Sequence, residues 1–518
     1  MPRRQGWRLI PRILQLSYSA GFGNGIFHCL MLGIRQETCG ACVVPALPIG
    51  IDMSETETAP AKPAPATMTL KQAFERAVAL HREGKLDEAA ALYRICLQNN
   101  PDSSTAWTNY GALLRRQSKF GEACAAHRKA LEIKPELVNA RSNLANALCD
   151  LGEAAEAVEI RRQLVKEHPG EIARVRDLAI ALRGDWANQE AVDIIDALDA
   201  EGKMDENCQL QRSLAHLMLG NYAEGFRDFE ARYSGDEVSL PQDAPWPRWA
   251  GESLEGKKLL ILPEQGFGDA ILMARFLPKL RALGPEKISM VVKPPLQRLF
   301  AQLEGLDEML AGASKSADYD YYTPNMSIPH FVGMPENGPP QLPKLAIPQD
   351  SRDRARKLAK PFDERFKIGI VWTGSLTYRA NHRRSTTPDN FLGLSQVPGV
   401  QLFSMYKGEA HKDFLESGMA GLIVDACGND RDFADSAAMI NEMDLMITTD
   451  TAVVHVAASL GKPIWNMLTY EGFWLYGAEE TTPWYPSMKL FRQRASGDWT
   501  ELFARIETAL RKHLEDRV

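Results

Sequence analysis

The stretch Pro101-Asp102-Ser103-Ser104-Thr105-Ala106-Trp107-Thr108-Asn109-Tyr110-Gly111 opens a unit that closes at Pro135, and the same interval returns at Pro169, so three prolines fall 34 residues apart. A proline cannot continue a helix, because it lacks the N–H and its ring collides with the preceding turn; each one therefore marks the end of a two-helix unit. Inside the unit Trp107, Tyr110, Gly111, Ala123 and Ala130 set bulky residues against small ones. Ala77, Gly84, Ala89 and Tyr93 fill the matching places one period earlier, and Leu144, Ala145, Gly152 and Ala157 one period later. Small residues at the eighth and twentieth places let antiparallel helices approach closely. A degenerate fourth unit over Val175 to Leu198 and a fifth over Leu214 to Tyr233, with Gly220-Asn221-Tyr222 at its turn, extend the pattern. An all-α solenoid over residues 69–235 is the prediction.

This array resembles the tetratricopeptide repeats. The resemblance implies a concave face that holds a peptide or protein partner, while so short an array can equally pack on the next domain and stabilise it.

The 518-residue chain has room for roughly three to four domains of ~150 residues. Sixty basic and 67 acidic residues leave a net charge of -7, with no local basic block, which disfavours nucleic acid as a partner. Eight cysteines are too few for a disulfide scaffold and show no zinc spacing; the pair Cys39 and Cys42 lies outside any strand-helix unit, and reduced thiols are expected. No apolar run reaches the ~18 residues of a membrane span. Residues 1–52 hold Arg3, Arg4, Arg8, Arg12 and Arg35 around the apolar run Ile26 to Ile34, the layout of a targeting segment, although no small-residue cleavage site follows. An upstream extension of the reading frame, with Met53 as the natural start, is the other reading. Residues 53–68, rich in Ala, Pro, Thr and Glu, read as a disordered linker.

After Pro241, Pro245 and Pro247 strands begin to alternate with helices, and residues 236–256 read as a second linker. Strands are predicted at Lys257 to Leu262, Ile288 to Val292, Ile368 to Trp372, Gln401 to Met405, Leu422 to Val424, Leu445 to Thr448 and Ile464 to Met467, with a proline-rich break near Asn337-Gly338-Pro339-Pro340. The expected fold class is therefore α + α/β multidomain: a helical solenoid, then two doubly wound, Rossmann-like domains over 257–345 and 346–518 that share one cleft.

Open α/β sheets bind ligands beyond the carboxyl ends of their strands, which directs attention to Pro263-Glu264-Gln265-Gly266-Phe267-Gly268-Asp269 after the first strand. Its glycines permit a sharp turn and close backbone approach, and Asp269 stands at a helix start where it can take a proton from a hydroxyl or simply cap the helix. The second stretch, Ile447 to Pro463, ends a strand in Thr448-Thr449-Asp450-Thr451 and starts a small-residue helix whose N–H groups can cradle a diphosphate. The contacts fall to Thr449, Thr451 and Ala452, with Asp450 facing away or capping; His455, one turn in, either reaches the site or packs in the core. The aromatic group Tyr470, Phe473, Trp474, Tyr476, Trp484 and Tyr485 reads as core first and as a stacking surface second. Asp318-Tyr319-Asp320 has the form of a metal-binding DxD, but Asp430-Arg431-Asp432 has it too, and no metal is assigned.

Glu264 to Asp269, Gly369-Ile370-Val371-Trp372-Thr373-Gly374, Asp432-Phe433-Ala434-Asp435-Ser436-Ala437-Ala438 and Thr449 to Pro463 together resemble the glycosyltransferases of family 9, relatives of the bacterial ADP-heptose:lipopolysaccharide heptosyltransferases, over about residues 240 to 515. The resemblance implies a GT-B fold and inverting, metal-independent transfer of a sugar, heptose being one candidate, from a nucleotide-sugar donor that is a substrate and not a cofactor. It implies Asp269 as general base, Asp450-Thr451-Ala452 as the donor-diphosphate loop, and Arg384 as the basic residue that contacts phosphate. A guanidinium there would stabilise the charge that builds on the leaving diphosphate, although a solvated basic loop has the same composition. Lys407 is a second donor-side candidate, and Glu264, Gln265, Gly266 and Gly268 form the acceptor-side loop. The acceptor would be a glycan, glycolipid or protein, in a cytoplasmic enzyme or one peripheral at the inner membrane, as in lipopolysaccharide biosynthesis. Two alternatives remain: a non-catalytic adaptor on a retained scaffold, and a protein O-glycosyltransferase.

Overall fold

A computed structural model describes residues 68–516 apart from 235–237, 242–243, 265, 337, 377 and 379–380. The readings made for residues 1–67 and for Gln265 lie outside the described residues. Helices α1 (Leu70–Arg82), α2 (Leu86–Asn99), α3 (Ser104–Arg116), α4 (Phe120–Ile133), α5 (Val138–Leu151), α6 (Ala154–Glu167), α7 (Ile172–Gly184), α8 (Asn188–Ala200), α9 (Glu206–Leu219) and α10 (Tyr222–Asp228) form five antiparallel pairs. The fourth pair, degenerate in sequence, is as regular as the others. Pro101, Pro135 and Pro169 each follow the C-cap of an even-numbered helix, where a missing N–H costs nothing.

The turn inside each pair is made the same way. Gly84, Ser118, Gly152, Trp186 and Gly220, each 34 residues from the next, all take the left-handed conformation, with φ of 82°, 60°, 88°, 63° and 82°. Three are glycines, for which this region carries no penalty. Trp186 is a bulky residue held there against its preference, and its ring lies 4.6 Å from the Arg492 guanidinium. Gly111 shows why the eighth place is small: a Cβ there would come within 2.6 Å of the buried His127 ring on the partner helix.

Beyond the repeats, β1 (Lys258–Leu262), β2 (Lys287–Val291), β3 (Glu308–Leu310) and β4 (Tyr321–Pro324) make a parallel sheet in the order β3-β2-β1-β4. A second parallel sheet joins β5 (Phe366–Val371), β6 (Val400–Ser404), β7 (Ile423–Asp425), β8 (Leu445–Thr449), β9 (Ile464–Leu468) and β10 (Met488–Arg492) in the order β10-β9-β8-β5-β6-β7. In each sheet the first strand lies inside and the order reverses beside it, between β1 and β4 and between β5 and β8, which opens a crevice above their carboxyl ends. Their burial on both faces explains the near-continuous apolar runs. The chain is thus a helical repeat array followed by two doubly wound α/β halves of GT-B type.

Arg248 and Trp249, within the segment read as a linker, are more than a connection. Arg248 bridges to Tyr322, Trp249 N–H donates to the Tyr322 carbonyl at 2.8 Å, and the Trp249 ring is fully buried, so this stretch flanks β4 and extends the first sheet. The Asp318-Tyr319-Asp320 group lies at the amino ends of β1 and β4, where Asp320 accepts from Lys258 N–H at 2.8 Å and from Lys257 at 3.0 Å. These carboxylates register two strands at the end of the sheet opposite the crevice.

One apolar cluster runs through both α/β halves and takes in Leu217 and Phe226 from the last helix pair and Phe229 just after it, so the array shares a core with the first sheet. Each turn from the second pair onward touches the C-terminal half. Phe120 packs on His382, a Cβ on Gly152 would collide with Ser496, Trp186 meets Arg492, and Tyr222 stacks edge-on against Trp484 and accepts its indole N–H at 3.1 Å.

Candidate functional site

The cleft between the sheets has a volume of about 1320 Å³ and is lined by the loops after β1, β5, β6 and β8. That exceeds the ~300–1,000 Å³ of a pocket for one small ligand and leaves room for two reactants side by side.

On the first-sheet side, helix α11 (Phe267–Met273) begins directly after the β1 loop. Gly266 is its N-cap, and Asp269 Oδ2 accepts the Gly266 N–H at 2.7 Å, so the carboxylate does cap the helix. The side chain also lines the cleft. Burial, opposed by that backbone hydrogen bond and reinforced by the charges of Asp450 and Glu264, pushes its pKa up to about 6. Gly268 answers a packing demand: a Cβ would stand 2.7 Å from His455 Cδ2 and 2.9 Å from its Nε2. Here α11 meets the helix Ala452–Ser459 of the other half.

Glu264 lines the cleft and is also tied to the repeats. Its two oxygens accept from Arg232 Nε and Nη2, both at 2.7 Å, and Tyr233 O–H donates to Oε2 at 2.8 Å; both side chains of the ion pair are under 5% exposed. Arg232 belongs to the last turn of the repeat array, so Glu264 anchors the β1 loop to the repeats.

On the other side, β8 ends at Thr449 and Thr451 takes the N-cap place of the helix Ala452–Ser459 in extended conformation, without a side-chain cap bond. The hydroxyls of Thr449 and Thr451 are buried with no partner within the protein; Thr451 lines the cleft, whereas Thr449 is fully buried behind it. The exposed N–H groups and the helix dipole at this start favour an anion. Asp450 is turned by Tyr476, whose O–H donates to Oδ1 at 2.6 Å, and burial raises its pKa. Arg384 Nη1 donates to the Asp450 carbonyl at 2.6 Å, its Nε donates to Asn381 at 3.1 Å, and its guanidinium lies 4.6 Å from the Tyr378 ring. Gly374 makes this possible, since a Cβ there would meet Arg384 Nη2 at 2.6 Å. Arg384 therefore sits at the 450–452 loop, in the wall of the cleft.

His455 is locked into the seam. Its Nδ1 pairs with Tyr485 O–H, its other edge faces Gly268, and burial, aided by Arg275, holds its pKa down to about 3, so the ring is neutral. Lys407, exposed at the cleft rim, donates to the Asp430 carbonyl. Of the six aromatics, Trp474, Tyr476, Trp484 and Tyr485 are buried, and Phe473 is exposed at the cleft. The buried rings support the floor, and two of them orient Asp450 and His455. In the Asp432 motif, Asp432 caps the helix Phe433–Asn441 and receives Arg298 of the first half at 3.1 Å, while Asp435 is held well below the usual carboxylate range by Arg431 and Ser351. Sequence reasoning overlooked Arg383 and Glu471, both in the cleft wall. Among the described residues, no group of three or more His, Cys, Asp or Glu is disposed to hold a metal ion, and no helix is long and apolar enough to cross a membrane.

Family models for the tetratricopeptide repeat match residues 71–113 and 114–180, and that for glycosyltransferase family 9 (heptosyltransferase) matches residues 400–485, which include the 450–452 loop. Protein FlbA of Caulobacter vibrioides is 28% identical over 337 residues, 58% of this chain and 54% of that one, so the chain spans about half the length of this curated relative. Among solved structures, the glycosyl transferase family 9 from Veillonella parvula DSM 2008 aligns with a TM-score of 0.38 at 15% identity, over 50% of this chain and 91% of that one. A tetratricopeptide repeat protein from Parabacteroides merdae ATCC 43184 aligns with a TM-score of 0.29 at 22% identity, over 32% of this chain and 66% of that one. Residues 71–180 thus match tetratricopeptide repeats, and residues 400–485 match glycosyltransferase family 9.

Proposed function

We propose that this chain transfers a sugar, with inversion and without a metal, from a nucleotide-sugar donor to a hydroxyl of a glycan, glycolipid or protein. The acceptor oxygen attacks the anomeric carbon as its proton passes to the Asp269 carboxylate. The bond from that carbon to the donor's phosphate oxygen breaks, and its electron pair leaves with the nucleoside diphosphate. A carboxyl with a pKa of about 6 is ionised near pH 7 yet more basic than an ordinary aspartate, which suits a general base. Arg384 and the N–H groups at the start of Ala452–Ser459 line the cleft and are the groups on hand to take the charge of the leaving diphosphate.

The observation that carries this reading is the meeting of Asp269 with Arg384 and the 450–452 loop across one cleft at the carboxyl ends of both sheets. The test is binding of ADP, GDP, UDP and their sugar conjugates to the full chain. A nucleotide at ~100 times its Kd should stabilise the fold by about 2.7 kcal/mol. Arg384→Ala should weaken that binding at least tenfold, the scale of one charge-assisted contact worth ~1.5–3 kcal/mol. If none of these compounds shifts unfolding, the transferase reading fails.

A further inference from the structure

The cleft wall contains a residue contact that links it to the repeats. Arg383 Nη1 donates to both oxygens of Glu471, at 2.8 and 2.7 Å, and Nη2 donates to Asp150 Oδ1 at 2.5 Å. Asp150 is the penultimate residue of α5, in the third repeat, and its other oxygen is paired with Arg115 of α3. The Gly152 turn next to it is pressed against Ser496, so the carboxylate is presented from a fixed point. Phe120 adds a face of apolar contact to the same strap: its ring packs on His382 and lies 5.8 Å from the Arg383 guanidinium.

We propose that Asp150 is a positioning residue of the donor site: by holding Arg383 against Glu471 it fixes the strap on which Arg384 reaches the 450–452 loop. The strap is the single helical turn Asn381–Arg384. One turn carries almost no stability of its own, because helix nucleation is unfavourable, so its orientation comes from tertiary contacts. On the inner side, Asn381 accepts from Gly374 N–H at 3.2 Å and donates to Thr373 at 3.0 Å. On the outer side, Arg383 is gripped by Asp150 and Glu471. Successive helical residues point about 100° apart, so the direction of Arg383 sets that of Arg384. Removing Asp150 leaves Arg383 held on the outer side by Glu471 without its anchor in the repeats, and the guanidinium meant for the diphosphate loses its fixed aim. The repeat array is then part of the donor site, although none of its residues touches the donor.

This inference rests on the donor-site reading above. The experiment is calorimetric titration of the full chain with whichever of ADP, GDP and UDP binds most tightly. Asp150→Asn should weaken binding roughly tenfold, the scale of one hydrogen bond to a charged group. Arg383→Lys, which keeps the charge and loses the fork, should weaken binding at least as much, and the double variant should bind no more weakly than Arg383→Lys alone, because Asp150 acts through Arg383. Tyr222→Phe, which removes the Trp484 hydrogen bond farther along the same docking edge, should leave affinity unchanged. Wild-type affinity in Asp150→Asn overturns the proposal, as does equal weakening by Tyr222→Phe, which would mark general undocking. Should Asp150→Asn fail to fold, wild-type affinity in Arg383→Lys overturns it. Absence of any nucleotide binding by the unaltered chain defeats the transferase reading itself and is distinguishable from all of these.

Discussion

Replacing Asp269 by asparagine should make the fold more stable while ending transfer. The folded chain lifts this carboxyl from an ordinary value near ~3.9 to about 6, about two pH units, and each unit is ~1.36 kcal/mol of preference for the neutral form. Above pH 6 the folded protein therefore carries a penalty of up to about 3 kcal/mol for keeping a charged carboxylate in the cleft wall. Asparagine keeps an oxygen for the Gly266 N–H and carries no charge, so it escapes the penalty without losing the cap. The sign follows from proton linkage. The folded state binds this proton more tightly than the unfolded state, so the contribution to stability falls as pH rises from about 4 to about 6 and is level above that. Because Asp269 lines an open cleft and keeps some contact with water, a gain of about 1–3 kcal/mol is expected at pH 7.5, shrinking towards zero at pH 4. Urea unfolding of both proteins at pH 7.5, 6, 5 and 4 measures it. Equal stability at pH 7.5, or a difference that does not change with pH, would refute the account of why this carboxyl is a strong base.

Two further substitutions test the frame around the site. Gly268→Ala would place a methyl 2.7 Å from a His455 ring that Tyr485 holds in place, so the α11 seam must part; a loss of about 1–3 kcal/mol is expected, and an unchanged unfolding midpoint would contradict the fit. Glu264→Gln leaves the buried Arg232 guanidinium with Glu230 as its one remaining carboxylate and should cost about 1–3 kcal/mol, with turnover per folded molecule retained; loss of turnover in a stably folded variant would return Glu264 to the chemistry.

The helix pairs could be read from sequence because a period of proline and small residues is set by local geometry. The strands β1, β5 and β8 could be read because burial on both faces leaves uninterrupted apolar runs. The strands β3, β4 and β10 were not foreseen: Glu308–Leu310 has only three residues, Tyr321–Pro324 ends in a proline, and Met488–Arg492 is interrupted by an exposed lysine. At the site, the loops were legible because glycines and a helix start follow a strand. The commitments of their side chains were not. Nothing near Glu264 announces Arg232, 32 residues earlier, and Asp150 lies 233 residues from Arg383. Such pairings are fixed by how separate domains meet, which no local pattern encodes.

A solenoid ordinarily grows or shrinks by whole units, since each repeat answers only to its neighbours. Here Phe120, Gly152, Trp186 and Tyr222 each face a different counterpart on the second half, and Trp186 accepts a costly backbone conformation to do so. Deleting or duplicating an inner unit would shift every later turn off its counterpart by one tooth, as on a rack meeting the wrong pinion. Among the described residues, a Cβ on the Gly84 turn would meet only Arg116 of the next repeat pair. Addition or loss of repeats is thus tolerable at the amino-terminal end alone, and the inner repeat number is set by the length of the surface it meshes with.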